Sequence, residues 1–234
     1  WANRSGMSEQ LPPDYAAHEA IYRRLRACGA AGWGTDQEIN DLLGHVQALL
    51  TIVPPPAALL ELGCGAGNLS LSLAARGYKV TGVDIAPTAV RWAQERAESG
   101  AWAVDFRVGD VVNLSELADA TFDGVVDGHC LHCIIGADRA RCLEAVHRVL
   151  RPGGSFIVAT MCGEVLDERL LSQFDAETST LMTGGRPTRT IGRVDDIVAE
   201  VARAGFDVVS VQVQPRRHAS EQDDLFVLAR KHID

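Results

Sequence analysis

One stretch constrains this chain more than any other: Leu59-Leu60-Glu61-Leu62-Gly63-Cys64-Gly65-Ala66-Gly67-Asn68. An apolar run is broken by glycines at alternate positions, and a helix-like segment opens at Leu69. Glycine accepts tight backbone bends and puts no Cβ between the chain and a ligand. A helix starting there aims its first N–H groups at whatever rests on the loop. The stretch therefore predicts strand, turn and helix, with the turn as the floor of a nucleoside-cofactor site. A turn that binds a pyrophosphate normally reads G-x-G-x-x-G. Here Asn68 holds the place of the last glycine, which predicts a cofactor without a pyrophosphate.

From residue 57 onward, strands and helices alternate. Strands are predicted over 57–62, 79–83, 103–108, 122–127 and 155–160. Between them fall helices over 69–76, stopped by Gly77, a second with Pro87 in its first turn, and a third over 140–150, followed by a turn over 151–154. Such alternation predicts an α/β protein with a mainly parallel sheet and helices on both faces. Ahead of it, helices are predicted over 14–28 and 36–50, the second capped by Asp36. Ile39, Leu42, Leu43, Val46 and Leu50 share one face of that second helix. With Met7 taken as the native start, residues 7–56 form a helical lid and 57–234 the core. The segment after the fifth strand reads as helix over 164–182, then a flexible loop over 183–188, within a substrate cap around 163–192. A helix over 195–204 and strands over 206–213 and 224–229 complete the chain, the two strands as an antiparallel hairpin at one sheet edge.

Charge and composition narrow the function. A formal net charge of −9 argues against binding nucleic acid, which needs a basic face. No window holds the ~18 consecutive apolar residues of a membrane span. No charged segment followed by an apolar core marks a secretory signal, so a cytoplasmic location is expected. The cysteines at 28, 64, 130, 133, 142 and 162 are then expected as reduced thiols.

Two carboxylates agree with the glycine loop. Asp84 follows the second strand, about 20 residues past the glycines, where a carboxylate accepts ribose hydroxyls. Asp110 follows the third, placed to accept from an exocyclic amine. Both sit at strand C-termini, the edge where open parallel sheets bind ligands. With these residues in view, positions 58–160 resemble the class I S-adenosylmethionine-dependent methyltransferases. Glu61 to Gly67 matches that family's first motif, Val83-Asp84 its acidic second and Gly109-Asp110-Val111 its third. Phe122 to Asp127 matches its fourth strand, and Leu150 to Gly154 the turn before its fifth.

The resemblance implies a Rossmann-like three-layer sandwich whose seven-stranded, mostly parallel sheet ends in an antiparallel strand. It implies S-adenosyl-L-methionine as cofactor. Gly63, Gly65 and Gly67 would contact its methionine part, Glu61 its amino group, Asp84 the ribose, and Asp110 with Val111 the adenine. Cys64, Ile85 and Asp127, beside these positions, join the set, and Trp33 would cover the cofactor from the lid with an aromatic face that attracts a sulfonium.

Residues 128–134 would face the sulfonium and the acceptor. Methyl transfer from a sulfonium needs chiefly alignment and, where the acceptor carries one, removal of a proton. His129 and His132 are the candidate bases, with His132 slightly preferred. Cys133 stands where family members commonly carry histidine and is read as a substrate contact, as are Arg186 and Arg189, which with Arg193 suit an anionic acceptor. The His129-Cys130-x-His132-Cys133 cluster lacks the second ligand pair that a structural zinc site needs, so no metal is expected. The expected function is methyl transfer to a small molecule at an O, N, S or C atom. The alternatives are a catalytically silent binder of the same cofactor and a nucleotide-dependent oxidoreductase. Asp84→Ala should weaken binding of S-adenosylhomocysteine by about 1–3 kcal/mol, and unchanged calorimetric affinity would remove Asp84 from the site.

Overall fold

The computed structural model describes residues 11–233. Residues 7–10 of the expected lid lie outside them. The first helix, α1, is Ala17–Ala27, and the second, α2, is Asp36–Leu49. Thr35 rather than Asp36 caps α2. Its hydroxyl accepts from the Glu38 N–H at 3.3 Å while the Glu38 carboxylate accepts from the Thr35 N–H at 2.6 Å. Two orphan donors are satisfied by this reciprocal pair, and Asp36 is the first residue inside the helix.

The core then alternates: β1 (Ala58–Leu62), α3 (Asn68–Ala74), β2 (Lys79–Asp84), α4 (Pro87–Gly100), β3 (Val104–Val108), β4 (Phe122–Gly128), α5 (Ala137–Val149) and β5 (Leu150–Cys162). The strand order is β3-β2-β1-β4-β5, continued by β10 (Asp223–Lys231) and β9 (Phe206–Gln214). The first five strands run parallel, and β10 is antiparallel to both of its neighbours. This is the Rossmann-like sheet the resemblance implies. β5 begins earlier than predicted. Arg151 to Gly154 enters the strand as an irregular start, with Phe122 opposite Leu150 but Gly124 opposite Ser155.

Both sheet faces are covered. Leu60, Leu62, Val125, Phe156, Val158 and Leu225 face α5 and α7 (Val194–Arg203). Leu59, Val126, Ile157 and Phe226 face α2 and α3. α4 extends this second layer, packing Val90, Ala93 and Ala97 on Phe106 of β3.

The predicted helix over 164–182 is not formed. Its residues give a single turn, α6 (Glu168–Leu171), then β6 (Phe174–Asp175) and β7 (Thr180–Thr183). Asp175 breaks helical continuity by accepting from the Glu177 N–H at 3.0 Å and the Thr178 hydroxyl at 2.8 Å, a local competition for backbone donors that disfavours helix. The loop over 183–188 is the tip of a two-residue hairpin. Gly184 and Gly185 take φ of 58° and 77°, as the tight turn requires. Arg186 already belongs to β8 (Arg186–Thr190), and β6-β7-β8 form a small second sheet.

Strands β1 and β4 touch where Gly124 meets Leu59. A Cβ at Gly124 would stand 2.8 Å from Leu59 Cδ2. Gly124→Ala should therefore destabilise the fold by about 1–3 kcal/mol through overpacking, read as a lower urea midpoint; an unchanged midpoint would show that this contact yields.

Candidate functional site

The strand order reverses between the parallel neighbours β1 and β4, and open α/β sheets bind ligands at that switch. The glycine loop lies there. Gly63 and Gly65 take φ of 61° and 52°, a conformation that side chains rarely adopt. Neighbours also crowd them. A Cβ on Gly63 would lie 2.8 Å from the Cys130 sulfur, and one on Gly65 would lie 2.4 Å from the Tyr22 hydroxyl. Gly67 ends the loop as the residue preceding α3. Cys64 continues the parallel ladder through its N–H to the Val83 carbonyl, 3.0 Å, and buries its side chain beside Phe106.

Asp84 ties this loop to the second strand. Its two carboxylate oxygens accept from the Gly65 N–H at 2.9 Å and the Ala86 N–H at 2.8 Å. Burial raises its pKa, and these two bonds oppose the rise. Each oxygen retains accepting capacity on another side. Glu61, 4% exposed, accepts from the Ser70 hydroxyl, and burial pushes its carboxyl up to about 8. Asp110 accepts from the Val112 N–H at 2.9 Å, which turns the chain beyond β3.

Asp127 organises the segment after β4. One carboxylate oxygen accepts from the Cys130 and Leu131 N–H groups, both at 2.8 Å. The carboxyl is fully buried, which pushes its pKa up to about 7 despite those bonds. Arg139, on α5, donates to the Leu131 carbonyl at 2.7 Å and pairs with Glu200 of α7 at 2.6 Å. The turn that carries both histidines is thus held from two sides.

His129 has φ of 66°, a costly conformation for a residue with a side chain. Its N–H donates to the Ala159 carbonyl at 2.9 Å, and its Nε2 lies 3.6 Å from Asp224 on β10. Burial lowers its pKa, opposed by Asp224 and then Glu38. His132 is 4% exposed, and its Nδ1 has no hydrogen-bond partner among the described residues. Burial pulls its pKa well down, followed by His129, Arg189 and Arg139. Cys130 and Cys133 are held as thiols: burial raises the first well above its usual value and the second to about 11. Among the described residues, no three His, Cys, Asp or Glu side chains converge as metal ligands do.

Lid and cap meet over the loop. Trp33 packs edge-on against Tyr22 at 5.5 Å between ring centroids, and the Arg189 guanidinium lies 5.6 Å from the Trp33 centroid. Tyr15 donates from its hydroxyl to Asp138 at 3.0 Å and accepts from the Ile135 N–H at 3.1 Å, fastening the lid to α5. Glu19 of α1 accepts from the backbone and hydroxyl of Thr88 at the start of α4.

A cavity of about 630 Å³ runs beneath them along the C-terminal edge of the sheet, within the range of small-molecule sites. Glu61, Gly63, Cys64, Gly65, Asp84, Ile85, Asp110, Val111 and Trp33 line it, as do His129, His132, Cys133 and Arg189. Three candidates do not. Gly67 sits behind the loop against Phe106, Asp127 turns its carboxylate into its own backbone, and Arg186 reaches away to the Pro12 carbonyl at 2.9 Å. Asp224, Gln222, Phe226 and Met161 line the cavity from β10, the loop before it and the end of β5. Sequence reasoning passed over them because β10 returns beside β5 only in the folded sheet.

An α/β sheet with a glycine turn at its switch point and carboxylates at the ends of its second and third strands defines a nucleoside-cofactor protein. The comparisons name the family. Residues 60–158 match a family model described as a methyltransferase domain. A "Ubiquinone biosynthesis O-methyltransferase" of Xanthomonas oryzae pv. oryzae is 34% identical over 161 residues, covering 66% of this chain and 66% of that protein's own length. A SAM-dependent methyltransferase structure from Methanosarcina mazei is 25% identical with TM-score 0.66, covering 76% of this chain and 93% of that one. The Burkholderia thailandensis 1,6-didemethyltoxoflavin-N1-methyltransferase, solved with its substrate and S-adenosylhomocysteine, shares the fold at 21% identity and TM-score 0.73, over 93% of this chain and 87% of that one. The chain belongs to the class I S-adenosylmethionine-dependent methyltransferases.

The crowding of Gly65 gives a direct test. Gly65→Ala should lower S-adenosylhomocysteine affinity at least about tenfold, because the backbone strain and the clash with Tyr22 act together. Tyr22→Phe in that background should restore part of the loss. Wild-type calorimetric affinity of the single variant would show that the lid does not rest on this loop.

Proposed function

We propose that this chain transfers the methyl group of S-adenosylmethionine to a small-molecule acceptor held beside the His129–Asp224 pair. One observation carries the reading. A single cavity joins the glycine loop and the strand-end carboxylates to His129, Met161, Asp224 and Phe226 at the β5–β10 side of the sheet.

The donor end fits the cofactor. Gly63 and Gly65 line the cavity with bare backbone, and two buried carboxyls, Glu61 and Asp84, stand beside them. When bound, S-adenosylmethionine supplies a methyl group already activated on a sulfonium. Glu61 takes the cofactor's amino group, whose positive charge stabilises the ionised carboxylate against burial. Asp84 accepts from the ribose hydroxyls, and Asp110 with Val111 receives the adenine. Trp33 and Tyr22 cover the cofactor and exclude water.

At the acceptor end the chain removes a proton. The O-methyl transfer named for the Xanthomonas relative makes a hydroxyl the first acceptor to test. His129 is preferred to His132 as the base. Its lowered pKa leaves the imidazole neutral at pH 7, and Asp224 stabilises the imidazolium that forms when it takes the acceptor's proton. At His132, burial, then His129, Arg189 and Arg139, all oppose a positive charge on the ring. It lines the pocket as a neutral imidazole. Arg189 has no carboxylate partner among the described residues and is offered to an anionic substituent. The six free cysteines suit a reducing compartment, and the reading includes a cytoplasmic location. No described helix is long and apolar enough to cross a membrane, and the acidic charge disfavours nucleic-acid partners.

Calorimetry with S-adenosylhomocysteine, followed by transfer of a labelled methyl to a panel of phenols, N-heterocycles and thiols, tests the reading. Binding of NAD in its place would overturn it, and cofactor binding without transfer across the panel would leave a silent binder. Against an active acceptor, His129→Ala should lower turnover about 10²–10⁴-fold with little change in cofactor affinity. The acid limb of kcat/KM should lie below the ordinary histidine value of about 6.5. Asp224→Asn should move that limb lower still, since the lost carboxylate had favoured the imidazolium. An acid limb that ignores Asp224 would remove the pair from the mechanism.

A further inference from the structure

The loop joining β9 to β10 is tied down by polar contacts within itself, to β10 and to α2. The Arg216 N–H and Nε both donate to Asp223 Oδ1 at 2.9 Å. The Arg217 N–H donates to Glu221 at 3.1 Å, its guanidinium pairs with Asp41 of α2, and the Glu221 N–H donates to the His218 carbonyl at 3.0 Å. Gln222 stands apart. Both its Oε1 and its Nε2 are buried, and neither has a hydrogen-bond partner among the described residues. A buried amide left unpaired costs free energy, and such groups are rare enough in folded proteins to need a cause. The surrounding bonds fix the loop, so the amide has little freedom to turn outward.

The strand alternation says which way it faces. Side chains two apart along an extended chain share a side. Gln222, Asp224 and Phe226 form such a series, and all three line the cavity, whereas Asp223 points away to Arg216 and Leu225 to the opposite core. Phe226 stacks on His45 at 4.2 Å between centroids, and Asp224 meets His129. This wall thus carries, in order, a largely buried aromatic ring, the partner of the proposed base and an unpaired amide.

We propose that Gln222 is the acceptor-reading residue of this enzyme. The acceptor is a planar ring carrying a lactam-type edge, an N–H beside a C=O, which pairs with the Oε1 and Nε2 of the amide. A hydroxyl elsewhere on the ring approaches His129. The inference rests on the methyltransferase reading for its donor side only; recognition of the edge is a property of this wall.

The test uses two bicyclic probes of one shape, 6-hydroxyquinolin-2(1H)-one, which has the edge, and 2-naphthol, which lacks it. Affinities are measured by calorimetry on the protein with and without S-adenosylhomocysteine. The wild type should favour the quinolinone at least about tenfold, the scale of one satisfied amide pair. Gln222→Leu should abolish that preference. Gln222→Glu, of the same shape but with no N–H to donate, should also lose it at neutral pH. Unchanged S-adenosylhomocysteine affinity in both variants would show that they fold. A wild type that binds the two probes equally, or a leucine variant that keeps the preference, would overturn the proposal. If S-adenosylhomocysteine itself fails to bind, the methyltransferase reading falls, while the probe pair on the unliganded protein still decides whether Gln222 reads the edge.

Discussion

The bond from the Gly65 N–H to Asp84 is the interaction on which the site depends. It ties the left-handed loop after β1 to the end of β2, and so fixes that loop at the point where the strand order reverses. The same carboxylate receives the Ala86 N–H and turns the chain into α4. One buried side chain therefore sets the shape of the loop and holds a negative charge at the rim of the pocket. The energetic cost of burying it is offset in part by two backbone donors, and a ligand hydroxyl would add a third.

The segment after β4 follows the same logic with a different outcome. Asp127 gives one oxygen to two backbone donors and is buried completely. It belongs to the scaffold of the turn. With Arg139 pressing from α5, that turn holds His129 in a conformation a glycine would occupy more cheaply. A strained histidine is kept where its ring reaches Asp224, on a strand almost a hundred residues later in the chain. Burial then separates the two histidines chemically. Asp224 opposes the lowering of the His129 pKa, whereas His129, Arg189 and Arg139 add to the effect of burial at His132.

Several features were legible before the fold was known because they are local. The glycine spacing, Pro87 at the start of α4 and the alternation of apolar runs with helical patterns all report on backbone geometry within a few residues. Errors arose where local signals compete. Asp36 and Thr35 both suit a helix start, and the reciprocal bond with Glu38 selects Thr35. Residues 164–182 are polar enough for a surface helix, yet Asp175 and the threonines of β7 favour turn and strand. The apolar face of α2 was read correctly as a face but has two uses. Val46 and Leu50 enter the core, whereas Ile39, Leu42 and Leu43 line the cavity. Periodicity registers that such residues leave water; it does not distinguish a packed core from a ligand wall.

The α/β architecture and the family follow from the sequence alone, because both rest on short motifs whose spacing is set by strand and turn geometry. Only the tertiary structure decided the acceptor end. Asp224, Gln222 and Phe226 join His129 there because β10 inserts antiparallel beside β5. Trp33 and Arg189 meet because a lid before the sheet and a cap after it close over the same edge. These contacts span long sequence separations, and their energies arise from packing and desolvation that no local pattern records.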